Sequence, residues 1–236
     1  MKLLKLPLPV LVFLLLFSSC DGGYCLEGEG DVESRTLQLA PLSGVEVSGS
    51  TKVYIKQGST QRVEVRGQAN VLDELETKVR NGVWDIGFER CLRRHETVEV
   101  YLTLPEITEA NINGSGAITL EDVFRSRRFK SSVSGSGKVL LRLATENLQV
   151  RISGSGTIRA AGVADAQEVS VSGSGKYNAL DLNCREAEVS ISGSGSAEVD
   201  PEELLEAEIS GSGKVYYTGN PEVVSEVSGS GKVVKM

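Results

Sequence analysis

A Gly-Ser-Gly triplet returns seven times in the second half of this chain, and its spacing decides what the chain can fold into. The triplets open at Gly114, Gly135, Gly154, Gly173, Gly193, Gly211 and Gly229 and close at Gly116, Gly137, Gly156, Gly175, Gly195, Gly213 and Gly231. Successive openings are 21, 19, 19, 20, 18 and 18 residues apart. A flexible Gly-Ser linker has no apolar residues between its glycines, whereas here each triplet is flanked by them at fixed parity. In the fourth copy Val169, Val171, Gly173, Gly175 and Tyr177 fall on one face of an extended chain, with Ser170, Ser172, Ser174 and Lys176 on the other. Ile152, Gly154, Gly156 and Ile158 repeat the pattern, as do Ile209, Gly211, Gly213, Val215 and Tyr217, and then Val227, Gly229, Gly231 and Val233.

Two-residue alternation means strands with one buried face. Repeated glycine and β-branched residues disfavour helix. One rung of about 19 residues cannot bury its apolar row alone, but rungs stacked about 4.8 Å apart bury it continuously. The expected fold is therefore mainly β: a right-handed, parallel β-helix-like solenoid of about seven Gly-Ser-Gly rungs, the hand following the general crossover preference. The paired glycines are expected to face inward, where the missing Cβ lets the chain bend or backbones approach closely. The outward position after each triplet reads Ala117, Lys138, Thr157, Lys176, Ser196, Lys214, Lys232. Lysine alternates with a small residue, which keeps like charges apart, until Lys214 and Lys232 break the rule.

A weaker copy, Ser48-Gly49-Ser50, precedes the strand-like Lys52 to Lys56. Strands are expected at 44–57, 62–67, 83–88 and 97–104, with a turn at Asn81-Gly82. Asn70 is a candidate cap for a short helical segment from Val71 to Arg80. This half is expected to pack onto the solenoid or to form its first coils.

The first twenty residues set the compartment. Lys2 and Lys5 give a positive start, Leu6 to Phe17 an apolar middle, and Ser18, Ser19 and Cys20 a small-residue close. The run is shorter than the roughly 20 residues that span a bilayer and has the form of a secretory signal. The close resembles the lipobox of signal peptidase II, with Phe17 where Leu is usual, which would make Cys20 the first mature residue and its acyl carrier. Ordinary signal cleavage nearby is the alternative. Glu27-Gly28-Glu29-Gly30-Asp31 is expected to be a flexible acidic tether. The expected division is then a signal peptide at 1–19, a lipid tether at 20–35, a β-rich N-terminal part at 36–110 and the repeat solenoid at 111–236.

Removal of residues 1–19 leaves 23 basic residues against 32 acidic, a net charge of −9. So acidic a chain is a poor partner for nucleic acid. Two basic clusters, Arg90, Arg93, Arg94 with His95 and Arg125, Arg127, Arg128 with Lys130, read as solvated loop charges. An oxidising compartment permits one disulfide among Cys25, Cys91 and Cys184. Cys25 and Cys91 both lie outside the repeat array and are the expected bridge, although sequence does not give connectivity; Cys184 is expected to pack as a small apolar residue.

The N-terminal segments carry a family resemblance. Gly28-Glu29-Gly30-Asp31-Val32, Val45-Glu46-Val47-Ser48-Gly49-Ser50 and Val53-Tyr54-Ile55-Lys56-Gln57-Gly58 resemble the opening of the head GIN domain family, named for autotransporter adhesin heads. Asn70-Val71-Leu72, Asn81-Gly82-Val83-Trp84-Asp85-Ile86, Tyr216 to Pro221 and Ser228-Gly229-Ser230-Gly231 are similar too. The resemblance implies a β-solenoid in exported proteins of Gram-negative bacteria, often lipoproteins, with no established reaction and no catalytic residue to carry over.

Chemistry is sparse. Gly-Ser-Gly-Lys is not a phosphate loop, which needs Gly five positions before its last Gly and Ser or Thr after Lys; Ser132 and Val139 stand there in the second copy, Ser170 and Tyr177 in the fourth. Calcium-binding β-rolls carry a ligand Asp that these triplets lack, a serine nucleophile wants a base and the only imidazole is His95, and no zinc ligand cluster is evident. No cofactor or metal is expected. Glu168, Glu188 and Glu208 recur as solvent-facing strand positions. The expected function is that of a non-enzymatic outer-membrane lipoprotein, on the periplasmic or cell-surface side. It would be held to the membrane by its lipid and act as an adhesin or binding module for a glycan or an envelope protein, with Tyr216 the better surface aromatic than the inward Tyr177 and Tyr217. The alternatives are a polysaccharide-acting β-helix enzyme and a passive structural envelope component.

Overall fold

The structure is a computed structural model and describes residues 25–236. The expected signal segment and Cys20 lie outside the described residues. The strands are Leu26–Glu27 (β1), Val32–Leu37 (β2), Gly44–Gly49 (β3), Lys52–Gln57 (β4), Arg62–Gln68 (β5), Val79–Arg80 (β6), Val83–Ile86 (β7), Leu92–Arg93 (β8), Glu99–Leu104 (β9), Glu109–Gly114 (β10) and Ala117–Leu120 (β11). They continue as Phe124–Gly135 (β12), Lys138–Gly154 (β13), Thr157–Gly173 (β14), Lys176–Gly193 (β15), Ser196–Gly211 (β16), Lys214–Tyr217 (β17), Glu222–Gly229 (β18) and Lys232–Lys235 (β19). One short helix, Ala69–Leu72 (α1), interrupts them.

From β10 onward each coil lies parallel on the one before it, in a solenoid of about seven turns with spacing near 19 residues. The apolar parity seen in the sequence becomes a column. Val47, Ile112, Val133, Ile152, Val171, Ile191, Ile209 and Val227 are partners in direct register from coil to coil. Those from Val47 to Ile209 are buried. A valine or isoleucine on such a strand sheds most of its apolar surface onto identical neighbours, about 1.5–3 kcal/mol for a fully buried side chain.

The glycines divide the corner between them, and this corrects the expectation that both face inward. The second glycine of each triplet does: Gly175 is buried, and a Cβ there would lie 2.4 Å from Ile152 Cγ2 of the preceding coil. The first is turned out. Gly173 is exposed with φ at +103°, and a Cβ there would meet the Gly154 carbonyl oxygen at 2.8 Å. The backbone thus needs a left-handed residue at the first position and empty space at the second. Through the corner the ladder does not break: Ser174 N–H donates to Gly154 O at 2.9 Å and Lys176 N–H to Gly156 O at 2.9 Å.

The first coil belongs to the N-terminal half. β3 and β4 pair with β10 and β11, and Gly49 partners Gly114, so Ser48-Gly49-Ser50 is the first corner of the stack, with buried Thr51 in the place of the second glycine. Beyond it β7 and β9 add a further parallel layer, and antiparallel β5 and β2 close that end. An antiparallel flap of this kind hides the edge on which another chain would otherwise pair. Trp84 is fully buried in the cap, its indole N–H donating to Glu76 O at 2.8 Å.

Two local expectations fail. The acidic lead is not a loose tether over residues 25–35. β1 pairs with β8, β2 pairs with β5, and the Asn70 side chain accepts from Glu29 N–H at 3.0 Å while donating to Glu27 O at 2.7 Å. That use of Asn70 also explains why it does not cap the helix, whose N-cap is Gln68 and which stops at Leu72. Val79–Arg80 is instead one arm of a hairpin with β7, turned by Asn81 and Gly82 at φ 51° and 80°, the left-handed pair that a type I′ turn requires.

The corner geometry sets a stability test. Gly173→Ala and Gly175→Ala should each lower stability by about 1–3 kcal/mol, through left-handed strain and overpacking respectively. Ser174→Ala between them should leave the melting temperature within error. Equal melting temperatures for all three would contradict this division of roles.

Candidate functional site: the serine edge and the lysine face

Each corner projects two side chains that the fold does not need inside. Ser134, Ser153, Ser172, Ser192, Ser210 and Ser228 precede the triplets' first glycines, and Ser136, Ser155, Ser174, Ser194, Ser212 and Ser230 lie between the glycines; all twelve are exposed. Strand pairing fixes them in two rows about 4.8 Å apart from coil to coil. Beside them runs the lysine column, in the register Lys52, Ala117, Lys138, Thr157, Lys176, Ser196, Lys214, Lys232. Small residues separate the charges except in the last step.

On this side a shallow groove of about 400 Å³ is lined by Lys176, Ser194, Ser196, Glu198, Lys214 and Tyr216 together with Ser212. Two ammonium groups, several hydroxyls, one carboxylate and the ring of Tyr216 therefore converge at the C-terminal end of the edge. Tyr216 is half-buried there, Tyr177 is fully buried, and Tyr217 packs partly against the core.

A second groove, of about 470 Å³, crosses the strands that lead into the corners. Lys130, Gln149, Glu168, Glu188 and Glu206 are partners in register across it. Gln149 Nε2 donates to Glu168 Oε2 at 2.9 Å, and Arg151 lies 3.9 Å from Glu168. Glu208 sits in the neighbouring outward row, opposite Ser190 and Glu226. Glycoside cleavage places two carboxyl groups on either side of the scissile bond. Here Glu168, Glu188 and Glu206 stand in one row on one wall.

The remaining sequence candidates are dispersed. Cys25 and Cys91 are joined by a disulfide, with Cα atoms 4.7 Å apart. Arg93 and Arg94 both reach Glu27, at 2.7 and 3.7 Å, and Arg90 reaches Glu74 at 3.5 Å. His95 is half-buried, and its Nδ1 lies 2.7 Å from Glu96 O. Arg125, Arg127, Arg128 and Lys130 are strand residues of β12 rather than loop charges, and Arg127 pairs with Glu146. Among the described residues no cluster of histidine, cysteine or carboxylate side chains is placed to hold a metal, and no helix is long and apolar enough to cross a membrane.

Two features escape a reading of the sequence. Tyr54 and Tyr101 stack with ring centroids 5.3 Å apart on the outer face of the N-terminal sheet; nothing local says that strands 47 residues apart are neighbours. Inside the solenoid, Tyr177 O–H donates to Gln167 Oε1 at 2.7 Å and Gln167 Nε2 donates to Cys184 Sγ at 2.8 Å. Cys184 Sγ in turn donates to Asp200 O at 3.8 Å, so Cys184 is a member of a polar chain, not simply a small apolar residue. Inward parity with Val169 and Val171 was the signal for Gln167.

Burial pushes the Cys184 thiol up to about 11, against a smaller lowering by its bond from Gln167. The thiol should therefore resist disulfide reagents at pH 8 in the native protein and react on unfolding. Tyr177→Phe leaves Gln167 Oε1 without its donor and should cost about 1–3 kcal/mol, read as a lower melting temperature with faster Cys184 labelling. Native labelling as fast as that of the unfolded chain would contradict both statements.

Glu46 offers a pH test. It is directly opposite Asp85, and burial first, then the charges of Asp85 and Glu109, raise its pKa above the ordinary 4.5. A raised carboxyl binds its proton more tightly folded than unfolded, so stability is lost as pH rises through that range. Glu46→Gln should stabilise the protein at pH 7, with the gain shrinking as pH falls through the raised pKa toward 4.5 and gone by about pH 4. A gain that is the same at both pH values would rule out this cause.

Residues 41–221 match the family described as "Putative auto-transporter adhesin, head GIN domain". Among solved structures, one described as a "putative adhesin" from Bacteroides fragilis aligns with a TM-score of 0.84 at 18% identity, over 89% of this chain and 100% of the other. A "putative lipid binding protein" from Parabacteroides distasonis gives 0.77 at 24%, over 90% and 100%. A "putative adhesin" from Parabacteroides merdae gives 0.75 at 22%, over 89% and 98%. At such identities the likeness is one of fold. No curated protein matches the chain. The corner-stacked β-solenoid and the family match over residues 41–221 together establish that this chain belongs to the head GIN domain family.

Proposed function

We propose that the chain is a non-enzymatic lipoprotein of the bacterial outer membrane, anchored through acyl chains on Cys20, whose solenoid edge serves as an adhesin or binding module toward a glycan. The observation that supports this most is the groove where Lys176, Lys214, Ser194, Ser212 and Glu198 surround Tyr216. A phenol ring offers an apolar face to a sugar, while hydroxyl, ammonium and carboxylate groups meet its hydroxyls from the sides. Continuation of the serine rows along the edge gives a polymer more than one coil to follow. The adhesin description of the family points the same way.

The enzymatic alternative draws on the groove at Glu168, Glu188 and Glu206. These carboxylates, with Glu186 of the adjacent row, all project from the outer face of one sheet, whereas glycoside cleavage needs a pair on either side of the bond. An envelope-protein partner for the edge is the other alternative.

A glycan array probed with the chain, paired with protease accessibility and fractionation of intact cells, tests the proposal. Tyr216→Ala should reduce retention on the bound glycans about tenfold, a reasonable loss for one stacked ring, while leaving the melting temperature unchanged. Cys20→Ser should move the chain out of the membrane fraction. Absence of glycan retention, or release of shortened saccharides from the array, would refute the binding role.

A further inference from the structure

The two ends of the solenoid are unlike. The N-terminal edge is closed by antiparallel strands, whereas β18 and β19 pair only inward, with β16 and β17. All eight residues of β18 are exposed. Val223 and Val227 continue the inward columns of Leu205 and Ile209, yet they are 37% and 41% exposed where Leu205 and Ile209 are buried. Among the described residues, nothing covers this end of the dry column or the outer row of backbone donors and acceptors.

Charge on this coil is sorted by arm. β18 carries Glu222 and Glu226 and no cation, while β19 carries Lys232 and Lys235 and no acid. The coil below worsens this arrangement: Lys232 stacks on Lys214 and Glu226 on Glu208, like-charge pairs that are destabilising in neighbouring strands. The lysine column avoids such contacts everywhere else in the array, although the glutamate row Glu168, Glu188 and Glu206 does not; at the open coil, opposite charge from outside can offset both stacks.

We propose that the open coil joins a second copy of this chain end to end, about a two-fold axis through Ser230. Such an axis exchanges the arms: β18 of one copy lies antiparallel on β19 of the other. Val227 then faces the second copy's Val233, inward on inward, and Glu226 lies diagonally beside the second copy's Lys232. Pairing like arms would instead set glutamate against glutamate and lysine against lysine. The contact is self-complementary and closes at two copies, with the N-terminal caps outermost. It buries both valine columns, satisfies the free backbone edges and relieves both like-charge stacks. The inference does not depend on Cys20 or on the ligand of the edge.

The axis makes a specific prediction, because residue 230 alone meets itself. In cells expressing the full chain, mild oxidation of Ser230→Cys should give a disulfide-linked species of twice the chain mass on a non-reducing gel. Ser174→Cys, at a corner in mid-array, should not. Glu226→Lys and Lys232→Glu should each reduce the Ser230→Cys cross-link about tenfold by placing like charges across the junction, and the two together should restore it. Each single change also relieves a stacked pair within the chain, so its melting temperature at concentrations too low for association should not fall. Loss of cross-linking thus cannot come from unfolding. A Ser230→Cys chain that stays monomeric, cross-links no better than Ser174→Cys, or yields an adduct of another mass would overturn the proposal.

Discussion

The rest of this structure depends on one contact, repeated at every corner: the carbonyl of the first glycine in one coil accepts the N–H of the serine in the next. A β-helix normally pays for its corners with broken ladder, because a turning backbone swings its donors away from the neighbouring strand. Here the left-handed glycine turns the chain while its carbonyl stays on the stacking axis, and the second glycine leaves room for the isoleucine or valine of the coil before. With the ladder continuous, the inward aliphatics come into register as a consequence. Every outward side chain is then released from structural duty and set on a fixed lattice.

Much of this was legible because period and parity are local signals. Triplet spacing gave the coil, alternation gave the buried row, and Asn81-Gly82 gave its hairpin turn. Gly173 and its equivalents were misassigned for an instructive reason. Strict alternation puts both glycines on the inner face, but alternation describes a straight strand, and parity slips where the chain turns. The lead from Cys25 to Asp31 looked like a linker because its composition is acidic and glycine-rich. Its pairing partners, Leu92, Arg93 and Asn70, are distant in sequence and gave no sign of themselves. The same holds for the stack of Tyr54 on Tyr101 and for the crowding of Lys176, Lys214 and Tyr216 into one groove: each needs the register between coils before it can be seen.

The interior is not uniformly apolar. Tyr177, Gln167 and Cys184 form a hydrogen-bonded chain inside the solenoid, reaching toward Asp200 O. A polar chain of this sort has few ways to satisfy itself, so it fixes which coil lies on which, where stacked aliphatics of similar size would tolerate a slip. Val, Ile and Ala columns supply cohesion and the buried glutamine supplies registration. This division suits a repeat whose coils are otherwise nearly interchangeable.

Where the chain enters its folded part carries a mechanical meaning. The Cys25–Cys91 bond closes a loop of 66 residues, and everything upstream, including the site of any membrane attachment, connects through it. Tension arriving from that direction meets a covalent link before it meets a hydrogen bond. It is passed to the strands around Leu92 instead of peeling β1 and β2 away one pair at a time.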